Sequence, residues 1–244
     1  MSHSAHTLFI SDLHLSADRP DIAQQFLSFI QKSAPNAEAL YILGDLFEIW
    51  LGDDAISPAH GAIIKAIRHI SDRGIPVYFM HGNRDFLIGN DFATACGCKI
   101  LNDPCVIDLY GTPTLLTHGD ILCTDDTEYQ KFRAYIRNPQ VLKQLMSLSI
   151  EERIAKGKEY RMASQEANKE KSMAIMDVNQ DAVKAMLREH GVEHMIHGHT
   201  HRPNVHTIDL NGKPAQRIVL GDWYEQGSQL YCDASGCELQ GLAR

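Results

Sequence analysis

The sequence predicts an α/β fold with two β-sheets flanked by helices and one helical insertion. Three features support this prediction. Apolar strand-like runs alternate with helical patterns in the first half of the chain, at 8–11, 22–31, 39–43, 59–71 and 77–80. A helix-only pattern then covers 127–190, and short strand-like runs return after it. A β-α-β-α-β rhythm is typical of a sheet with helices packed on its face.

The later strand-like runs, at 195–197, 205–210, 217–220 and 229–232, are separated by turn signals such as Asn211-Gly212. They predict a second sheet packed on the first. Within the helix-only region, Asn138-Pro139 predicts a break, and Ser149 followed by Glu152 predicts a capping box that starts a new helix. We therefore expect a core of residues 1–126 and 173–244, with an inserted helical unit at 127–172.

Composition limits the classes of protein that the chain can belong to. Its 244 residues carry a formal net charge of -8, with 44% hydrophobic and 22% charged residues, as in ordinary globular proteins. An acidic chain without a long basic groove is not expected to bind nucleic acid. The N-terminus lacks the basic start and long apolar run of an export signal, so we expect a cytoplasmic protein. The six cysteines lack Cys-x-x-Cys spacing, and we expect reduced thiols.

Polar clusters follow the strands. They are Asp12-Leu13-His14, Gly44-Asp45, Gly82-Asn83-Arg84-Asp85, His118-Gly119-Asp120 and His197-Gly198-His199-Thr200-His201. Ligands of open α/β sheets bind beyond the carboxyl ends of the strands, so these clusters are predicted to meet at one edge. Taken singly, the Asp-x-His, Gly-Asp and Gly-Asn clusters are better explained by ordinary structural roles such as turn formation, because Asp and Asn commonly end strands. Three alternating histidines beside the other clusters favour metal binding.

Seven side chains form the predicted metal cage, hereafter the cage: Asp12, His14, Asp45, Asn83, His118, His199 and His201. Oxygen and imidazole ligands without a thiolate favour Mn²⁺, Fe or Zn²⁺ over a structural zinc finger. Asp45 is a candidate bridge between two ions. Such a pair of ions can hold a phosphoryl group and activate water, so the cage predicts hydrolysis of a phosphate ester or anhydride.

The order Asp-x-His, Gly-Asp, Gly-Asn, His-Gly-Asp and Gly-His-Thr-His resembles the calcineurin-like metallophosphoesterase superfamily. The resemblance implies a two-sheet metallophosphoesterase sandwich flanked by helices, with the helical insertion lying as a cap over the active site. It also implies that Asp12, His14, Asp45 and His201 hold one metal ion. Asp45, Asn83, His118 and His199 would hold the other.

Arg84 departs from the superfamily pattern, which usually has histidine after Gly-Asn. A guanidinium fits phosphate oxygens, so Arg84 is predicted to bind the substrate phosphate and to assist catalysis with His199. The alternative is a salt bridge from Arg84 to Asp85. Asp85 and Asp120 are further candidates for residues that orient the ligands.

The blocks ISDLHLS, ILGDLFEIWLGDD, GNRDFL and HGHTHRP resemble the UDP-2,3-diacylglucosamine pyrophosphatase family of lipid A biosynthesis. That family cleaves UDP-2,3-diacylglucosamine by attack of water on the α-phosphorus, giving UMP and 2,3-diacylglucosamine 1-phosphate (lipid X). The resemblance implies two Mn²⁺ ions per chain and a peripheral position on the cytoplasmic side of the cell inner membrane. We expect a monomer.

The same resemblance implies substrate contacts in and near the insertion. They are Asp126, Ser164, Asn168 and Lys171, together with Asn83, Arg84 and His199 of the core. The spacing of the three insertion residues puts them on one helix face, although a solvated face would look the same. Apolar insertion residues predict either a small core of its own or a groove for acyl chains: Phe132, Tyr135, Ile136, Leu142, Leu145, Met146 and Leu148.

Other functions are compatible with the same cage. A phosphodiesterase, a nucleotide pyrophosphatase or a protein phosphatase would use the same ligands, and product analysis would distinguish them. A non-catalytic interaction module is a second alternative, although such relatives usually lose ligands and all seven are present here. A nucleic-acid exonuclease would need a basic, aromatic groove that the sequence does not show.

Overall fold

Two β-sheets pack against each other, and each carries helices on its outer face. The computed structural model describes residues 5–169, 175 and 177–243, without the side chains of 165 and 167–169. The strands are β1 (Thr7–Ile10), β2 (Ala39–Leu43), β3 (Val77–Met80), β4 (Lys99–Leu101), β5 (Cys105–Leu109), β6 (Thr112–Thr117), β7 (His194–His197), β8 (Asn204–Leu210), β9 (Lys213–Val219), β10 (Gly227–Asp233) and β11 (Gly236–Leu242). The first sheet has the order β11-β10-β1-β2-β3-β4 and the second β5-β6-β7-β9-β8. The predicted α/β fold with two sheets is confirmed.

Most of the helices in the described chain begin after a side chain that caps them. They are α1 (Pro20–Lys32), α2 (Pro58–Asp72), α3 (Asn90–Cys96), α4 (Thr127–Ile136), α5 (Pro139–Met146), α6 (Ile150–Lys169) and α7 (Gln180–His190). The predicted capping box is present, because Ser149 N donates to Glu152 and Glu152 N donates to the Ser149 hydroxyl. Asn138 likewise caps α5, at the predicted break. In the described part of the chain, no helix is long and apolar enough to cross a membrane.

The central strands of the first sheet, β1, β2 and β3, are apolar on both faces because both faces are covered. In β1, Leu8 and Ile10 pack with α1, α2 and α3, whereas Phe9 between them packs against the second sheet. Successive side chains of a strand point to opposite faces, so a strand covered on both sides reads as a continuous apolar run. A third apolar cluster joins the outer face of the second sheet to α7.

Two strands do not lie where the sequence order placed them. β10 was expected in the second sheet, but it pairs antiparallel with β1 and extends the first sheet. β6, which precedes the His118 cluster, pairs in parallel with β7 in the second sheet. The polar clusters therefore come from strand ends of two sheets rather than one. Strand pairing over long sequence distances is not encoded in the local pattern that identifies a strand.

The expectation that all six cysteines are reduced was wrong for one pair. Cys232 and Cys237 form a disulfide. They lie directly opposite each other in the β10–β11 hairpin, with Cα atoms 4.1 Å apart. Hairpin register brings residues five apart into contact, and the search for Cys-x-x-Cys spacing could not detect this.

Helices α4, α5 and α6, hereafter the cap, follow the loop after β6 and contact the loops that carry the cage. Arg133 Nε and the Tyr129 hydroxyl both donate to Asp120 Oδ2, at 2.8 and 2.9 Å. Arg153 Nη1 donates to Asp54 Oδ1 at 2.7 Å. The expected end of the insertion at residue 172 lies outside the described residues. The fourth helix of the helix-only region, α7, packs on the second sheet instead.

The N-cap of α7 should contribute measurably to the stability of the protein. Asn179 Oδ1 accepts hydrogen bonds from Asp181 N and Ala182 N. We expect Asn179→Ala to lower the free energy of unfolding by about 1 kcal/mol, because two N–H groups lose their partner. Urea unfolding of the variant measures this. The neighbouring Gln180→Ala leaves the cap intact and should change the free energy by less than about 0.5 kcal/mol. Equal effects of both substitutions would contradict the assignment of the cap.

Candidate metal centre

The seven predicted cage side chains lie on loops that directly follow strands, and the structure brings them together. Asp12 and His14 follow β1, Asp45 follows β2, Asn83 follows β3, His118 follows β6, and His199 and His201 follow β7. Two groups of three ligand atoms each lie within 4.8 Å of one another: Asp12, His14 and His201, and Asp12, Asp45 and His118. Each group has the size and the donor chemistry to hold a metal ion.

The first group is built around two imidazoles. His14 Nε2 and His201 Nε2 lie 3.3 Å apart. Asp12 Oδ1 is 3.4 Å from His201 Nε2 and accepts no hydrogen bond from the described residues. Two ring nitrogens and a buried carboxylate oxygen that converge on one point are arranged as ligands of a cation.

The second group adds Asn83 and His199. Asn83 Oδ1 is 3.0 Å from His118 Nε2 and 3.0 Å from His199 Nδ1. His118 Nε2 lies 3.8 Å from Asp45 Oδ1. The amide oxygen, the carboxylate and the two imidazoles therefore surround one small volume, which makes all four candidate ligands.

Asp45 connects the two groups. Its Oδ1 lies 3.8 Å from His118 Nε2, and its Oδ2 lies 3.8 Å from His14 Nε2. Each oxygen faces a different group, as a carboxylate shared by two ions must. Asp12 also belongs to both groups by distance.

The cage loops adopt a backbone conformation that non-glycine residues rarely adopt. Positive φ angles occur at Asp12 (56°), His14 (52°), Asp45 (51°), His199 (68°) and His201 (55°). Elsewhere in the described chain, Tyr110 and Asn211 are the non-glycine residues with this conformation. Such residues cost roughly 1–3 kcal/mol each and concentrate at functional sites. The strain points to a site that selection has shaped for ligand placement.

Two glycines allow the loops to approach one another. A β-carbon on Gly82 would overlap Asp45 Oδ1, and one on Gly198 would overlap Asp12 Oδ2. No other residue type leaves this space to the carboxylates. The Gly-Asn and Gly-His blocks of the sequence are therefore explained by close packing around the cage.

Three acceptors outside the predicted cage orient its histidines. His118 Nδ1 donates to Leu43 O at 2.8 Å, His14 Nδ1 lies 3.1 Å from Glu48 Oε2, and His201 Nδ1 lies 3.2 Å from Asp222 Oδ2. An acceptor at Nδ1 leaves the Nε2 lone pair directed into the cage, which is the usual arrangement of metal-binding histidines. The sequence analysis assigned no role to Glu48 or Asp222, because the contact of one carboxylate with a distant imidazole leaves no pattern in the sequence around it.

The sequence profile of the calcineurin-like phosphoesterase family matches residues 5–203. This match covers most of the chain, including all seven cage residues. The chain belongs to this family.

Curated relatives match this phosphoesterase over nearly its whole length. A protein of Stenotrophomonas maltophilia named UDP-2,3-diacylglucosamine hydrolase is 53% identical, over 98% of this chain and 99% of its own. Proteins of the same name from Aeromonas salmonicida and Chromohalobacter salexigens are 52% and 54% identical, over 96% and 89% of this chain and 92% and 88% of theirs. Among solved structures, a novel archaeal phosphodiesterase has a TM-score of 0.51 at 12% identity, covering 97% of this chain and 99% of its own. That similarity supports the fold.

Arg84 does not form the salt bridge to Asp85 that was considered as an alternative. The Asp85 carboxylate accepts hydrogen bonds from Gly82 N and Leu46 N, both at 2.8 Å. The Arg84 side chain lines a cavity of about 370 Å³ beneath the cap, and its buried Nε has no hydrogen-bond partner among the described residues. Its guanidinium is therefore available to an anion that enters the cavity.

The predicted substrate contacts outside the cage are only partly described. Asp126 caps α4 by accepting from Tyr129 N at 3.1 Å, and it is buried. Ser164 lines the cavity beneath the cap. Asn168 lies in α6 with its side chain outside the described residues, and Lys171 lies outside them altogether.

Electrostatic coupling within the cage predicts proton release on metal binding. Burial lowers the pKa of His118, but Asp45 and Asp12 outweigh it and raise the pKa to about 9. Burial is likewise outweighed at His201, where Asp12 and Asp222 raise the pKa to about 10. Both imidazoles are therefore protonated on both ring nitrogens, and positively charged, at neutral pH in the metal-free protein.

Metal ions bind neutral imidazole, so we expect metal loading to release protons and the affinity to rise with pH. Between pH 7 and 8 the affinity should increase roughly tenfold for each proton released. Calorimetric titration of metal-free protein with Mn²⁺, in buffers of different ionisation enthalpy, measures the number of protons that are released. The His201→Ala protein should release one proton fewer than the unchanged protein when it binds Mn²⁺. An affinity that is independent of pH would contradict the protonation state assigned to the two histidines.

Asp85 is expected to act as a positioning residue, since it ties the loop after β3 to the loop after β2. Asp85→Asn puts an amide donor against a backbone N–H group, and we expect metal affinity to fall by about 10–100-fold. Asp91→Asn removes an exposed carboxylate from the first turn of α3 and serves as the control. An Asp85→Asn protein that folds and binds Mn²⁺ as tightly as the control would show that Asp85 does not position the cage.

Proposed function

We propose that this phosphoesterase hydrolyses the diphosphate of UDP-2,3-diacylglucosamine, giving UMP and 2,3-diacylglucosamine 1-phosphate. The observation that carries the proposal is the shape of the cavity beneath the cap. At one end it is lined by Asn83 and Arg84 of the metal centre, and beyond them by apolar side chains of core and cap. A polar reaction centre that continues into an apolar chamber suits an acylated sugar diphosphate. The names of the full-length relatives support the same substrate.

The apolar part of the cavity has the composition of an acyl-chain site. Its lining includes Ile49, Leu51 and Phe86 of the core and Phe132, Ile136 and Leu145 of the cap. Burial of methylene groups against such a surface contributes about 0.8 kcal/mol each. Of the seven apolar cap residues predicted from sequence, Leu142, Met146 and Leu148 do not line the cavity.

The cage supports two Mn²⁺ ions as the cofactor. Asp12, His14, Asp45 and His201 would hold one ion, and Asp45, Asn83, His118 and His199 the other. When bound, such ions supply activated water and neutralise charge on the phosphoryl group. Ring nitrogens and carboxylate oxygens fit Mn²⁺, and the described part of the chain brings no thiol into either group.

Arg84 and His199 are the proposed catalytic residues. The Arg84 backbone N donates to Asp45 Oδ1 at 2.8 Å, which fixes the start of its side chain beside the cage. Its guanidinium would donate to non-bridging oxygens of the α-phosphate as negative charge increases there. His199 is partly buried, and desolvation, followed by repulsion from His118, lowers its pKa to about 4. A neutral His199 can bind a metal ion through one ring nitrogen and donate the N–H of the other to a phosphate oxygen.

Asp126, Ser164, Asn168 and Lys171 are proposed to bind the sugar and phosphate of the substrate. Ser164 supports this assignment because it lines the same cavity as Arg84. We further propose a monomer that attaches peripherally to the cytoplasmic face of the inner membrane. Apolar cap residues that remain 37–65% exposed support membrane contact: Phe132, Tyr135, Met146, Ile150, Ile154 and Met162.

The reaction is tested with metal-stripped protein to which Mn²⁺ is restored. We expect UMP and the acylated sugar phosphate as products, with ¹⁸O from labelled water in UMP, because the α-phosphorus is attacked. Arg84→Ala and His199→Ala should each lower kcat by about 10²–10³-fold, since each removes an interaction with the charged transition state. Mass spectrometry identifies the products. Hydrolysis of simple phosphodiesters without cleavage of the lipid substrate would agree with the proposed metal centre but contradict the proposed substrate.

The acyl chamber is tested by placing a charge within it. Phe132→Glu should raise KM for the acylated substrate by about tenfold or more, because a carboxylate in the chamber must be desolvated when acyl chains bind. Ile154→Glu changes an equally exposed apolar cap residue that does not line the cavity, and it serves as the control. Equal kinetics of the two variants would refute the assignment of acyl chains to this chamber.

A further inference from the structure

A second pocket lies on the outer face of the second sheet, beside the loop that carries His199 and His201. It has a volume of about 250 Å³ and is lined by Asp177, Arg202, Pro203, Asn204, His206, Arg217 and Val219. Neither the metal centre nor the acyl chamber uses these residues. In the β8–β9 pairing His206 lies opposite Arg217 and Asn204 opposite Val219, so these four side chains share one face of the sheet.

In the described part of the chain, Arg217 is a buried cation that forms no direct ion pair, although the Asp177 carboxylate lies near enough to stabilise its charge. Its side chain is 4% exposed, and its Nε has no hydrogen-bond partner among the described residues. Its Nη1 donates to His197 Nε2 at 3.1 Å. His197 Nδ1 lies 2.8 Å from Gly198 O, which can only accept, so His197 carries its proton at Nδ1 and is neutral. The imidazole therefore accepts one hydrogen bond from Arg217 but supplies no negative charge.

The carboxylate of the pocket is already engaged. Asp177 Oδ2 accepts from Arg202 Nη1 at 2.5 Å, and Asp177 Oδ1 accepts from Val178 N at 2.7 Å. The Asp177–Arg202 pair is neutral as a whole, so the pocket retains the positive charge of Arg217. An unpaired buried charge is expensive, and a bound anion would remove that cost.

We propose that this pocket binds a small phosphate group, either free orthophosphate or the phosphate of a monoester. The guanidinium of Arg217 supplies N–H donors in the fork geometry that matches phosphate oxygens. Asn204 and His206 line the same face and add side-chain donors. The volume accommodates a phosphate with its substituent or its remaining water, but not a lipid. This inference is independent of the substrate assigned to the metal centre.

The test separates this pocket from the metal centre, which also attracts phosphate. Orthophosphate is titrated into Mn²⁺-loaded Arg84→Ala protein at constant ionic strength, with and without Arg217→Met, and each curve is fitted to two sites because the Mn²⁺ ions themselves bind phosphate. We expect two sites in the first protein, and at least tenfold weaker binding at one of them when Arg217 is replaced. Arg188→Met, which changes an exposed arginine of α7, should leave the affinity unchanged. Binding that Arg217→Met does not weaken, or no binding to the Arg84→Ala protein, would overturn the proposal.

A second variant tests the pocket without replacing Arg217, in case the Arg217→Met protein does not fold. Arg202→Gln retains Arg217 but leaves Asp177 unneutralised in the pocket, so phosphate affinity should fall at least threefold. An unchanged affinity would contradict the proposal. Competition by UMP identifies the source of the phosphate group. Displacement of orthophosphate by UMP assigns the pocket to a monoester, and no displacement assigns it to the free ion; both results require the loss of binding in Arg217→Met.

Discussion

The arrangement of the site depends on one carboxylate that must face two sets of ligands. The oxygens of Asp45 lie 3.8 Å from His14 Nε2 and 3.8 Å from His118 Nε2, although these histidines follow strands of different sheets. The two sheets must therefore end at the same edge of the sandwich. Gly82 must lack a side chain for the same reason, because Asp45 occupies the space that a β-carbon would fill. The strained backbone of the cage residues follows from the same requirement.

The cap is held to this edge by arginines that contact core carboxylates. Arg133 contacts Asp120, Arg153 contacts Asp54, and Arg161 contacts Glu48 at 2.8 Å. Glu48 in turn lies beside His14. The cap thus closes the cavity and touches a residue that orients a metal ligand. A substrate that spans the metal centre and the apolar chamber would contact core and cap together, which explains why one cavity contains both surfaces.

The sequence predicted the residues of the cage but not the carboxylates that orient its histidines. All seven candidate ligands were identified because each lies next to a strand end in a recognisable cluster, and the structure brings these side chains close together. Glu48 and Asp222 were missed because the contact of a single carboxylate with a distant imidazole leaves no local pattern. The placement of β10 in the first sheet and the Cys232–Cys237 disulfide were missed for a related reason. Both depend on strand register, which is decided by packing between distant segments.

The central claim is that Asp45 joins two metal ions in one centre. Electron paramagnetic resonance of the Mn²⁺-loaded protein tests it most directly, with Asp45→Asn as the comparison. Two ions sharing a carboxylate are magnetically coupled, so we expect the many-line spectrum of a coupled manganese pair and its loss in the variant. A simple six-line spectrum of isolated Mn²⁺ in the fully loaded protein, unchanged by Asp45→Asn, would contradict the account.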